Sequence, residues 1–205
     1  MRLYLVPSPI GNLGDITYRA VEVLRSVDAI LCEDTRTSSV LLNHYNIHKP
    51  LYPHHQHNEH KTLEKVLEEL QAGKKLALLT DAGTPAISDP GFLLVRECVR
   101  QGIEVECLPG ASAVLPALVQ SGLPASSFCF EGFPPQKKGR QTFFKKLADE
   151  ERTIILYESP HRLVKTLREM AEHLGADRPA AVCRELTKMF EENKRGTLEE
   201  VYQYF

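Results

Sequence analysis

The sequence predicts an α/β protein built as two tandem α/β domains, spanning 1–120 and 121–205. Three observations support that reading. Short apolar runs alternate with amphipathic stretches from the first residue onward, the pattern of a mostly parallel sheet with helical crossovers. Gly- and Pro-rich loops follow three of those runs at equivalent strand-to-helix positions. Around 121–127 the texture changes to SGLPASS, a hinge-like segment, before the alternation resumes. The 205 residues are long for one domain and short for two ordinary ones, on a loose scale of roughly 150 residues each.

In chain order, 3–6 reads as a buried strand and 7–14 as the loop after it. A helix follows over 16–27, with Ile16, Ala20, Val23, Leu24 and Val27 on one face. Residues 29–32 form a second buried strand, 37–45 look helical, and 51–52 are briefly extended. The stretch 60–72 is amphipathic, with Leu63, Val66, Leu67 and Leu70 inward and Gly73 as its stop. Strands at 76–79 and 103–108 flank a helix at 92–100 that Gly102 closes. The second half repeats the pattern, with strands at 128–133, 153–157 and 180–184 and helices at 139–148 and 160–174. The longer helix aligns Leu163, Leu167, Met170, Ala171 and Leu174. Residues 197–205 start like a helix, with Glu199 and Glu200 in the first turn and nothing following to pack it, so the chain reads as truncated.

The totals narrow the class. A content of 42% hydrophobic and 25% charged residues is that of a globular protein with a proper core. A net charge of −2 gives no global nucleic-acid signature, so any RNA contact must come from a local patch. Five scattered cysteines, odd in number and without a C-x-x-C pair, argue against a disulfide framework or a cysteine-rich zinc site. They fit a reducing cytoplasm. The apolar run before Pro7 is too short for a signal peptide or a membrane span.

The loop DAGTPAISDPG at 81–91 is costly to order, since each fixed residue loses about 1–2 kcal/mol of conformational entropy. It lies where open α/β sheets bind ligands, beyond the carboxyl end of a strand. The loops PSPIGNLG (7–14) and LPGASA (108–113) occupy equivalent positions. Pro9 stands where G-x-G-x-x-G needs its first glycine, and no G-K-[ST] occurs, so phosphate-cradling chemistry is absent. The three loops suit a cofactor with an adenosine part and no phosphates. Asp81 is the best polar candidate for an amino group or ribose hydroxyls, and Asp89 equally suits a helix N-terminus.

Other clusters sit at predicted strand ends. Glu33-Asp34-Thr35-Arg36 either positions a substrate or base or forms a local ion-pair cluster. Four histidines at 54, 55, 57 and 60 invite a zinc reading, but no cysteine lies near and a polar surface loop explains them better, so no metal is expected. Residues 134–147 hold five Lys/Arg and no acid, a candidate phosphate-backbone contact. Tyr157-Glu158-Ser159-Pro160-His161-Arg162 and Arg184-Glu185-Leu186-Thr187-Lys188 are further site candidates, or parts of a structural Arg–Glu network.

The strings PSPIGNLGDIT, CEDTRT, DAGTPAISDPG, LPGASA, EGFPP, YESPHR and RELTK, in this order and across the whole chain, closely resemble the ribosomal-RNA methyltransferase branch of the tetrapyrrole methylase superfamily. The resemblance implies two α/β domains with S-adenosylmethionine in the cleft between them, usually in a homodimer. It implies 2′-O-methylation of a cytidine in the decoding centre of 16S rRNA, in the 30S subunit. By motif match Pro9, Asp81, Gly83, Ile87, Ser112 and Ala113 line the cofactor pocket, and the strand ends near Phe133, Tyr157 and Ala181 close it. A ribose hydroxyl is a poor nucleophile, so a base or positioning group is expected among Glu33, Asp34, His161, Glu185 and Lys188. Arg36, Lys137, Lys138, Arg140 and Arg162 are the expected RNA contacts. A tetrapyrrole-precursor methyltransferase and a catalytically silent ribosome-assembly factor are the alternatives; the first needs a cationic trough, the second no cofactor loops.

Overall fold

Runs of four or five apolar residues, too short for buried helices, form the central strands of the first unit. The structure is a computed structural model describing residues 1–205. It divides into two compact units, Met1–Ser112 and Ala113–Phe205.

The first unit runs β1 (Arg2–Leu5), a 3-10 turn (Leu13–Asp15), α1 (Tyr18–Ser26), β2 (Ala29–Cys32), α2 (Thr35–His44), β3 (Leu51–Pro53), α3 (Glu59–Gln71), β4 (Lys75–Leu79), α4 (Phe92–Arg100) and β5 (Glu104–Cys107). All five strands are parallel, in the order β3-β2-β4-β1-β5. Because successive side chains leave a strand on opposite faces, β1 sends Tyr4 into one core and Leu3 and Leu5 into the other. Leu24 of α1 and Leu42 of α2 cover the first face. Leu67 and Leu70 of α3, with Leu94 and Cys98 of α4, cover the second. Helices on both faces explain why β2 and most of β4 are wholly apolar rather than alternating.

The helix after β4 lies on the face opposite those after its neighbours β1 and β2. Their outgoing loops therefore diverge, which makes a topological switch point at the carboxyl ends of these three strands.

The second unit runs α5 (Val114–Ser121), β6 (Phe128–Gly132), α6 (Arg140–Ala148), β7 (Thr153–Leu156), α7 (Leu163–Leu174), β8 (Pro179–Arg184), β9 (Glu192–Thr197) and α8 (Leu198–Tyr204). The parallel pair β6-β7 and the antiparallel pair β8-β9 are separate two-stranded sheets. Strand β9, ENKRGT, has no apolar alternation, so the sequence gives no sign of it; pairing to β8 along its whole length makes it a strand.

Two expectations change here. The boundary lies ahead of α5 rather than at SGLPASS, because Val114 and Leu118 pack on Ile155 of β7. Gly122, left-handed at φ 72°, is simply the C-cap of α5. The helix at the chain end is also packed: Leu198 and Val201 are buried against Leu167 of α7. It opens on a capping box, with Thr197 accepting from Glu200 N and Glu200 returning a bond to Thr197 N. No helix is long and apolar enough to cross a membrane.

Candidate active site

At the switch point the loops are fastened to one another by their backbones. Ser8 and Gly83 exchange two hydrogen bonds, N to O at 3.0 Å and 2.9 Å, and Ser8 Oγ donates to the carbonyl of Thr80 at 2.7 Å. Thr84 Oγ1 donates to the carbonyl of Ala111 at 3.2 Å, tying in the loop after β5. A Cβ on Gly110 would stand 2.7 Å from Pro7 Cβ, so only glycine permits that approach. The loop after β4 also holds Ala86 and Ser88 in the left-handed region, at φ 67° and 60°. Non-glycine residues rarely adopt such values, and those that do cluster at ligand sites.

The loop after β2 joins this rim through its acids. The Asp34 N–H donates to Asp81 Oδ1 at 3.3 Å. Burial, and then the nearby charge of Asp81, raise the Glu33 carboxyl above the usual range. Burial raises Asp81 as well. Asp89 is pushed up to about 6, by burial and then by Glu33 and Asp81. Three carboxyl groups thus crowd one place, with raised proton affinity, and they favour a cationic ligand or a proton.

Asp34 behaves differently. It caps α2, its Oδ1 accepting from Arg36 N at 2.8 Å, and it pairs with the Arg36 guanidinium at 2.6 Å. That pairing holds its carboxyl down at about 2. A group that gives up its proton so readily makes a poor base, which sets Asp34 apart from Glu33 as a base candidate. Arg36 remains largely exposed beside it.

In the second unit the end of β7 carries an aromatic cluster. Tyr157 meets Phe130 edge-on at 4.9 Å and Phe133 at 5.5 Å between ring centroids. Phe133 is half exposed. Immediately beyond, Glu158 is buried and pairs with Arg162 at 2.8 Å. The turn from β8 to β9 places Glu185 and Thr187 in the left-handed region, at φ 53° and 67°. Lys188 pairs with Glu185 at 3.2 Å, both well exposed.

The expected residues therefore fall into sets. Pro9, Asp81, Gly83, Ile87 and Ser112 lie in the fastened loops of the first unit, with Ile87 half exposed. Ala113 is the N-cap of α5 in the second unit, and Ala181 lies within β8 opposite Arg195. His161, Lys137 and Lys138 are exposed.

Arg140 is buried, contrary to expectation. It is 5% exposed, and its guanidinium pairs with Glu169 at 2.6 Å, so it does not join the exposed basic set. Arg140, Phe144 and Leu147 are the buried residues of α6, at i, i+4 and i+7. That spacing is the signal that identifies the inward face. His54 is likewise not on a polar surface loop; it is buried, with Nδ1 3.0 Å from Thr62 Oγ1. Asp89 does not cap α4, whose N-cap is Gly91 with no side-chain bond.

The model of the Tetrapyrrole (Corrin/Porphyrin) Methylases matches residues 2–202. The chain belongs to the tetrapyrrole methylase family. Within the tetrapyrrole methylases it is similar to proteins named ribosomal RNA small subunit methyltransferase I and falls in that branch. The relative from Synechocystis is 52% identical over 204 residues, covering 99% of this chain and 73% of the relative. That from Thermotoga maritima is 49% identical, covering 100% of this chain and 91% of the relative. Among solved structures, diphthine synthase superposes with a TM-score of 0.78 at 15% identity, covering 99% of this chain and 84% of that one. Uroporphyrin-III C-methyltransferase from Thermus thermophilus gives 0.67 at 21% identity, covering 98% and 86%. These superpositions, over nearly the whole chain, show the tetrapyrrole methylase fold that the sequence predicts.

Proposed function

We propose that this tetrapyrrole methylase transfers a methyl group from S-adenosylmethionine to small-subunit ribosomal RNA, at the ribose 2′-hydroxyl of a decoding-centre cytidine. The observation that carries the reading is the near-full-length likeness, at about half identity, to relatives named for that RNA.

The residues of the first unit fit the cofactor. Crowded carboxyls at Glu33, Asp81 and Asp89 suit its sulfonium and amino charges. Thr80 Oγ1 is buried with no partner of its own, a donor and acceptor available to a ligand. Gly83 sits at φ 82°, in the left-handed region that favours glycine, and so keeps this loop in its ligand-facing conformation without strain. S-adenosylmethionine, when bound, supplies an electrophilic methyl group on sulfur. Asp81, Pro9, Gly83, Ile87 and Ser112 hold it.

Glu33 takes the proton of the substrate hydroxyl, since its raised affinity makes it a better base than Asp34. Lys137 and Lys138 meet the RNA backbone by charge. The partner is 16S rRNA in the 30S subunit, and the acting species is a homodimer, which light scattering measures.

The test is incorporation of labelled methyl groups into purified, unmodified 30S subunits, with the modified nucleotide mapped by nuclease digestion. Label in the ribose of one cytidine is the expected result. Label in a porphyrin precursor and none in RNA would replace this reading with tetrapyrrole modification. Calorimetry showing no S-adenosylmethionine binding would leave a silent assembly factor.

A further inference from the structure

The far end of the loop 7–14 is held by a side chain that none of the preceding roles uses. Tyr45 Oη donates to the carbonyl of Leu13 at 2.6 Å. The near end is fixed by the exchange between Ser8 and Gly83. Between these two points the backbone of residues 9–11 makes no hydrogen bond, so its course is set from its ends. What Tyr45 grips is a closed turn rather than loose chain. The Asn12 carbonyl accepts from Asp15 N at 3.0 Å, and Asn12 Oδ1 accepts from Gly14 N at 3.0 Å.

Tyr45 is itself firmly placed. It is the C-cap of α2, and the chain beyond it closes a Schellman motif. Asn46 N donates to the Asn43 carbonyl at 3.1 Å, and Ile47 N to the Leu42 carbonyl at 2.8 Å. Asn46 stands at φ 52°, a value asparagine tolerates better than most residues. Leu42 and Ile47 are buried in one core, and Tyr45 packs against it. Arg25 Nη2, from the end of α1, donates to the Tyr45 carbonyl at 2.9 Å. The other end of α2 begins at the rim, where the Asp34 N–H meets Asp81. One helix, about 15 Å long at 1.5 Å per residue, therefore braces the loops after β1 and β2 together.

We propose that Tyr45 is a positioning residue for S-adenosylmethionine, its hydroxyl holding residues 9–12 in the course that the cofactor meets. Tyr45 acts through Leu13 and does not touch the cofactor. The inference rests on the cofactor reading given above and adds to it a residue from outside the three loops.

The experiment compares wild type, Y45F and R25M by calorimetry with S-adenosylmethionine, by amide exchange at Asp15 and by steady-state methylation of 30S subunits. Thermal melting serves as the folding control. Y45F keeps the ring against its core and removes only the hydroxyl. It should raise the Kd and KM for the cofactor by roughly three- to tenfold, the loss of one neutral hydrogen bond, with kcat at saturating cofactor little changed. Exchange of the Asp15 amide, which closes the turn, should quicken. R25M loosens the backbone of Tyr45 and should move Kd and exchange in the same direction by less. A wild-type Kd in folded Y45F, with faster exchange, would reduce Tyr45 to a structural latch and overturn the proposal. Unchanged exchange at Asp15 would overturn it too, because the turn would then hold without the hydroxyl. Should Y45F not fold, R25M decides alone, and a wild-type Kd with faster exchange overturns the proposal. Failure of wild type to bind S-adenosylmethionine would instead overturn the cofactor reading, and this inference with it.

Discussion

The two units handle charge in opposite ways. The first has a parallel sheet apolar on both faces, and its charged groups near the site stand at the strand ends, in loops joined by backbone hydrogen bonds such as Ser8–Gly83. The second has two small sheets and takes Arg140 and Glu169 inside, where side chains rather than backbone set the geometry. A rim built from backbone tolerates side-chain change, provided its special φ values are kept. A network built from side chains fails when any member is lost, because the partner stays buried and unpaired.

The sharpest way to break the contrast is to act on each unit's charges in turn. Glu33→Gln should leave the first unit folded and lower the rate of methyl transfer by roughly 10²–10⁴-fold, the ordinary contribution of a general base. Single-turnover kinetics measures this, and a rate within threefold of wild type would remove Glu33 from the reaction. Arg140→Met should instead act on folding, costing about 3–5 kcal/mol because Glu169 is left as a lone buried charge. Denaturant melts would show it, and adding Glu169→Met should recover much of the loss.

A smaller effect tests the backbone side of the comparison. A Cβ on Gly91 would stand 2.5 Å from Leu78 Cδ2, on a residue at φ 119°. Gly91→Ala should therefore cost about 1–3 kcal/mol. The same substitution at Gly73, where a Cβ meets nothing within 4 Å, separates left-handed strain from the clash.

The mildest test is a titration. The Asp89 carboxyl should titrate near about 6 by NMR, and lower once Glu33→Gln removes a neighbouring charge. Raised above its unfolded value, this group favours the folded state fully below the unfolded carboxylate pKa. That contribution is lost as pH climbs through about 6. Asp89→Asn should then flatten the decline of stability across that window.

What the sequence reveals differs between the units for the same reason. Buried parallel strands are continuous apolar runs, so the segment 29–32 coincides with β2, and the helical periodicity of 92–100 coincides with α4. The three Gly/Pro loops are legible because turn geometry restricts residue type. The second unit hides more. Strand β9 is polar because its pairing is carried by the backbone, and Arg140 lies among lysines whose exposure it does not share. Crowding of Glu33, Asp81 and Asp89 joins residues far apart in the chain, and only the order of strands brings them together.

The bridge between Ser8 and Gly83, with Gly110 held against Pro7, has a kinetic consequence. The loops at that rim are set when the chain folds, so little rearrangement remains for the moment of ligand capture. Encounter, rather than a slow closing step in these loops, should then govern how fast the small ligand arrives. Its association should follow a single exponential whose rate rises in proportion to ligand concentration, without the plateau that a preceding conformational step would impose.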